Sequence, residues 1–238
     1  MGLNLTKKYS TNFGLPKRLK KSIKFIIIHY TGMQNQLAAI KKLGDSKSRV
    51  STHYFIKNNG KILNMVPDLY EAWHAGQSEW KTYKSLNKHS IGIEINNPGH
   101  DNKYKRFNNN QINNLKKLLI QLIKNYNINT RNILGHSDIA PNRKKDPGEK
   151  FPWKDLAKKN LCFWHKLKER KIKIFRKQKL SIKEEAYFIK NLYKIGYSKN
   201  FGDKKILTKA FQRRFRQHLV DGKVDKECFL ISKSLLKQ

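Results

Sequence analysis

KFIIIHYTG, residues 24–32, is the stretch on which the fold turns. Phe25, Ile26, Ile27 and Ile28 run unbroken, with no polar residue at alternate positions. A short apolar, β-branched run of this kind is a strand buried on both faces, and such strands sit centrally in a sheet with layers above and below. Lys24–Tyr30 is therefore predicted as a central strand, delivered at Thr31-Gly32 into a turn. His29 stands at its end, where central strands present side chains to a shared cleft.

On either side, SIGIEIN (residues 90–96) and NILG (132–135) are two further strands. In the first, Ile91, Ile93 and Ile95 fall on one face and Gly92, Glu94 and Asn96 on the other. Ser51–Ile56 and Lys61–Val66 flank Asn58-Asn59-Gly60 and form a hairpin. Asn35–Leu43 has helical spacing. Gln111–Tyr126 sets Ile112, Leu115, Leu118, Leu119, Leu122 and Ile123 on one helical face. Strands interleaved with helices in this order give an α/β fold, a mixed central β-sheet flanked by helices, ending near Trp164.

Beyond it the pattern changes. Residues 166–179 alternate charged and apolar types without a turn motif and are expected to form a basic, partly helical connector. Ser181-Ile182-Lys183-Glu184 is a capping box that opens a helix. A second helix over Ile206–His218, a turn at Asp221-Gly222 and a third helix from Lys226 complete a three-helix unit. The expected organisation is thus 1–165, a connector 166–179, and 180–238, which 238 residues accommodate comfortably.

The net charge of +35 invites a nucleic-acid reading. Lysine, however, is spread over nearly every segment beside abundant Asn and Ile, and no nucleic-acid-binding motif accompanies it, so no nucleic-acid partner is expected. Cys162 and Cys228 lack a C-x-x-C neighbour and are expected as reduced structural thiols. The first twenty residues contain no apolar core of a signal peptide, which favours the cytoplasm, and no run is long enough to span a membrane.

His29 and His136 each close a strand, and a lone histidine there is more often structural than a ligand. Asp146 changes the reading. It lies ten residues after His136 in HSDIAPNRKKDPG, where Pro141 and Pro147 stiffen a loop that can return a carboxylate to the imidazole. Two histidines and one carboxylate make a hydrolytic zinc site with a fourth position left for water; a plain turn residue before Pro147 is the alternative for Asp146. Glu94 is a general base if its face meets the cleft, although a surface strand gives the same alternation. Lys144, two residues before Asp146, is placed to face an oxyanion, but among 52 lysines and arginines its position alone does not single it out.

Taken together, IIIHYTG, STHYFIKNNGKI, AWHAG, SIGIEINNPG and GHSDIAPNRKKDPGEKFPW resemble, in order, the blocks of the type 2 zinc N-acetylmuramoyl-L-alanine amidases, most closely the AmiD branch. The resemblance covers roughly residues 10–165. It implies a peptidoglycan-recognition-protein-like amidase fold and cleavage of the amide between N-acetylmuramic acid, or its anhydro form, and L-alanine in cell-wall turnover or recycling. By the same resemblance His29, His136 and Asp146 are zinc ligands, Glu94 the catalytic acid/base and Lys144 the transition-state stabiliser. Trp73, His74 and Ala75 look like cleft wall, with His53 and Asn97 as further polar substrate-binding candidates; packing explains these five equally well.

The C-terminal unit resembles the small peptidoglycan-binding domain of this branch, through Leu192 with Gly196-Tyr197, Ala210-Phe211-Gln212 and Val220–Asp225. Arg213, Arg214 and Arg216 depart from it and are expected on a solvated face. A wall-binding tail favours the periplasm or envelope over the cytoplasm. The expected partner is peptidoglycan or a muropeptide, and the expected state a monomer. The rival reading is a peptidoglycan-binding protein without turnover.

Overall fold

The computed structural model describes residues 5–238; residues 1–4, with which the expected first unit begins, lie outside the described residues. A six-stranded sheet forms the centre, built from β1 (Leu5–Lys7), β2 (Phe25–Tyr30), β3 (Tyr54–Ile56), β4 (Ile62–Asn64), β5 (Ser90–Ile95) and β6 (Ile133–Gly135) in the order β1-β4-β3-β5-β2-β6. Only the β3–β4 hairpin is antiparallel; every other neighbouring pair is parallel. Gly60 takes φ +83° in the hairpin turn, and a Cβ there would meet the Asn110 carbonyl oxygen at 2.7 Å, so this position requires glycine.

Phe25 to Ile28 of β2 are all buried. Ile26 and Ile28 face one layer, where α2 (Asn109–Tyr126) lays Leu115, Leu118, Leu119 and Leu122 on the sheet. The N-terminus of α2 is held by a reciprocal cap between Asn108 and Gln111. Phe25 and Ile27 face the opposite layer. That layer has two parts. α1 (Gln36–Gly44) packs Ala39, Ile40 and Leu43 over Phe55 and Leu63 at one end, and the C-terminal helices cover the other.

Two short helices, α3 (His136–Ile139) and α4 (Trp153–Ala157), follow β6, and α5 (Glu169–Ile172) with a 3₁₀ turn fills much of the expected connector. The C-terminal unit consists of α6 (Ile182–Ile195), α7 (Lys204–Phe215) and α8 (Lys226–Leu236). Ser181 and Glu184 cap α6 as the sequence indicates. Phe188, Leu192, Leu207, Phe211, Ile231 and Leu235 share one apolar cluster with Phe25, Ile27 and Leu134 of the sheet. The boundary at 165/166 therefore divides the sequence but not the core.

One expectation is overturned here. Arg214 and Arg216 are not on a solvated face; each is 2% exposed, and Arg213 is half-buried. Charge in a helical pattern normally marks the water-facing side. Here α7 is enclosed by the sheet layer and by its sister helices, so the guanidinium groups are buried with partners: Arg216 lies 3.3 Å from Asp225, and Arg214 2.8 Å from Asp138. Both cysteines are buried and free, and no helix of the described residues is long and apolar enough to cross a membrane.

Leu119 is fully buried where α2 meets the sheet. Leu119→Ala is expected to lower the unfolding free energy by about 2–5 kcal/mol, read from urea denaturation midpoints; a change below about 1 kcal/mol would mean that α2 is not packed as described.

Candidate metal centre and catalytic cleft

The parallel register of the sheet assembles the site. His29 on β2 is paired directly with Glu94 on β5, and Gly135, the last residue of β6, is paired with Ile28, so His136 follows at the same level as His29. Three side chains from three adjacent strand ends thus reach one spot. The loop after α3 returns Asp146 to it, held by the Ser137 N–H, which donates to the Asp146 carbonyl at 2.8 Å.

His29 Nδ1 lies 2.9 Å from His136 Nδ1 and 3.0 Å from Asp146 Oδ2, and His136 Nδ1 lies 3.1 Å from the same oxygen. All three residues are buried. The hydrogen bonds behind them fix which nitrogen carries the proton. His136 Nε2 faces the Ala75 carbonyl at 3.2 Å; a carbonyl only accepts, so the proton is on Nε2 and Nδ1 offers a lone pair.

The proton on His29 is fixed by a relay. Ser90 Oγ donates to the Leu86 carbonyl and so accepts from His74 Nε2. His74 Nδ1 is then an acceptor for His29 Nε2 at 3.0 Å, leaving His29 Nδ1 as a lone pair as well. Two lone pairs and a carboxylate oxygen therefore converge within about 3 Å, an arrangement that repels itself unless a cation lies among them. Burial, reinforced by the facing His136, lowers the His29 pKa to about 4, which keeps the imidazole neutral and able to ligate.

A cleft of about 420 Å³ opens beside these atoms, with Trp73, Glu94, Lys144 and Met33 in its wall and Ala39 and Leu43 of α1 on one side. Glu94 is partly exposed to it, and its Oε2 has no hydrogen-bond partner among the described residues. Burial, and then the charge of Asp146, push the Glu94 carboxyl up to about 8, while Lys144 acts in the opposite sense. A carboxyl poised near neutrality can both take and give a proton.

Of the other expected residues, Trp73 and His74 line the cleft, His74 chiefly as the partner of His29. Ala75, His53 and Asn97 do not open to it. Ala75 is in the core and offers its carbonyl to His136 and Arg143. His53 is sealed, accepting from the Gly92 N–H at 2.9 Å and donating to the Tyr70 carbonyl. Asn97 is consumed in bonding the Lys105 carbonyl and the Gly99 N–H. Three contributors escaped the sequence reading: Ser90 at the end of the relay, Arg143 clamping the Ala75 and Gln77 carbonyls, and Asp138, whose Oδ2 accepts the Gly135 N–H at 2.7 Å. Only Asp138 left a local trace, as an acidic residue in the first turn after a strand-ending glycine.

The profile of the family described as N-acetylmuramoyl-L-alanine amidase matches residues 19–149, which contain the whole site. The chain belongs to this amidase family. Over 234 residues it is 32% identical to the N-acetylmuramoyl-L-alanine amidase AmiD of Escherichia coli (strain K12), covering 91% of this chain and 83% of that protein. It is 40% identical over 105 residues to the 1,6-anhydro-N-acetylmuramyl-L-alanine amidase AmpD of the same organism, covering 44% of this chain and 55% of that one.

Among solved structures, AmiD from E. coli in complex with the substrate anhydro-N-acetylmuramic acid-L-Ala-D-gamma-Glu-L-Lys matches with a TM-score of 0.80 at 32% identity, over 91% of this chain and 89% of that one. AmpDh3 from Pseudomonas aeruginosa in complex with anhydromuramic pentapeptide matches with a TM-score of 0.81 at 30% identity, over 95% and 96%. The amidase fold expected from the sequence is thus present, and matches over 91% and 95% of the chain reach beyond residue 165 into the C-terminal helices.

The relay depends on Gly92, where a Cβ would sit 2.4 Å from the His74 ring. Gly92→Ala is expected to displace His74 and lower the melting temperature by several degrees, about 1–3 kcal/mol of overpacking. An unchanged melting temperature would show that His74 is not held as described.

Proposed function

We propose that this amidase is zinc-dependent, with His29, His136 and Asp146 holding the metal, Glu94 as acid/base and Lys144 as oxyanion partner. The observation that carries the reading is the convergence of two imidazole lone pairs and one carboxylate oxygen beside an unpartnered Glu94. This donor set suits zinc, being three protein ligands of nitrogen and oxygen type with one side open to a cleft. When bound, zinc supplies Lewis-acid polarisation and lowers the pKa of water towards neutrality.

The chain's own residues then divide the work of hydrolysis. Glu94 accepts a proton from the attacking water as its oxygen bonds to the lactyl carbonyl carbon of muramic acid. The half-buried Lys144 ammonium lines the same cleft and is near enough to affect both His29 and Glu94 electrostatically, so it can face the oxyanion of the tetrahedral species. Glu94 returns the proton to the alanine nitrogen as the C–N bond breaks, leaving a free lactyl carboxylate and a free stem peptide. Lys42, Lys144 and Lys145 around the cleft complement a substrate rich in carboxylates.

Glu94→Gln is expected to lower kcat on purified muropeptides by about 10²–10⁴-fold without loss of bound zinc. A chelator should abolish activity and added zinc restore it; full activity in either case would refute the assignment. Lys144 holds the Glu94 carboxyl down, so removing its charge raises that pKa. In Lys144→Met the acid limb of kcat/KM should therefore move to higher pH, in addition to a fall in kcat of about 10²–10³-fold. An unmoved limb would separate Lys144 from the site.

A further inference from the structure

Arg214 of α7 ties the C-terminal helices to the rest of the molecule. Its side chain is 2% exposed. Nη1 donates to Asp138 Oδ2 at 2.8 Å and Nη2 to the Ile133 carbonyl at 2.9 Å, while the guanidinium lies over the Trp153 ring, 4.2 Å from its centroid. Asp138 is also met from the far end of α6, where the Tyr197 hydroxyl donates to Oδ1 at 2.8 Å. Its Oδ2 in addition accepts the Gly135 N–H.

Asp138 occupies a decisive position. It lies on α3, two residues after His136, and Gly135 is the residue immediately before that histidine. The residue between them, Ser137, bonds the Asp146 carbonyl. Every bond to the Asp138 carboxylate therefore constrains the turn that carries one histidine of the metal centre and supports the carboxylate of the same centre. Two of those bonds come from residues 197 and 214, outside the segment 19–149 that matches the family profile.

A buried ion pair is a poor means of stabilising a fold, because desolvation offsets most of the attraction and well-packed apolar residues do as well or better. What such a pair provides is a fixed geometry. Groups behind a metal ligand orient it, and their removal weakens metal binding even when the ligands themselves remain.

We propose that the C-terminal helical unit is a positioning element of the amidase site, acting through Arg214 and Tyr197 on Asp138 and so on the His136 turn. This rests on the reading of His136 and Asp146 as zinc ligands. Arg214 and Tyr197 are positioning residues, since neither reaches the cleft, and the tail serves the chemistry directly, independently of any contact with the wall.

The test uses the full-length protein and two variants, Arg214→Lys and Tyr197→Phe. Lysine keeps the charge but loses the two-pronged fork and the planar stack on Trp153; phenylalanine keeps the ring and removes one bond to Asp138. Zinc affinity is measured by competition with a chromophoric chelator, beside kcat and KM on a muropeptide and the circular dichroism spectrum. The expected result is zinc affinity weaker by about 10–100-fold in Arg214→Lys and by a smaller factor in Tyr197→Phe, with kcat reduced, KM little changed and the folded spectrum retained. If Arg214→Lys does not fold, Tyr197→Phe decides alone. Wild-type zinc affinity and kcat in the folded variants would overturn the proposal. Failure of the parent protein to bind zinc would instead overturn the metal assignment.

Discussion

The constraint on which everything else depends is the parallel register of β6, β2 and β5. Pairing of Ile28 with Gly135 and of His29 with Glu94 puts the ends of three neighbouring strands at one height. In a sheet the side-chain period is two, so a slip of one residue would turn His29 into the α2 layer and replace it in the cleft with an isoleucine or a tyrosine. The register is in turn fixed by the apolar layers on both faces, which accept Ile26 and Ile28 on one side and Phe25 and Ile27 on the other. Core packing and catalytic geometry are therefore a single constraint.

Register brings the donor atoms of His29 and His136 near one another, but it does not aim them. Aiming is done by hydrogen bonds that leave no freedom of tautomer: the Ala75 carbonyl behind His136, and the chain from His29 through His74 and Ser90 to the Leu86 carbonyl. Each chain ends on a backbone acceptor that cannot change its role. The same strand supplies Glu94 and, two residues earlier, the glycine whose missing Cβ makes room for His74. β5 thus carries both the proposed acid/base and the space that lets His29 be held against His74.

Much of this was legible in the sequence. FIIIH could be read as a central strand because four consecutive apolar residues leave no solvent face, and the Asn58-Asn59-Gly60 turn identified its hairpin because only a few turns join antiparallel strands so tightly. The metal set, and its reading as a hydrolytic zinc site, follow once Asp146 is taken with His29 and His136, and the family resemblance implies the same three residues. What could not be read was set by distance. Periodicity shows that a helix buries a face, not what lies against it, so the shared core between sheet and C-terminal helices was invisible. Arg214 looked like a solvated cation because its partner Asp138 is 76 residues away, and His53 and Asn97 looked available because the backbone N–H and carbonyl groups that consume them are set by chain folding and leave no mark in residue type.

The most direct test of the central claim, that His29, His136 and Asp146 form one zinc site, is zinc K-edge X-ray absorption on the zinc-loaded protein. The expected spectrum has a light-atom shell of two imidazole nitrogens and carboxylate or water oxygens at about 2.0–2.2 Å, four-coordinate, with the imidazole signature weakened in His29→Ala. A sulfur shell near 2.3 Å, or a spectrum without imidazole, would contradict it.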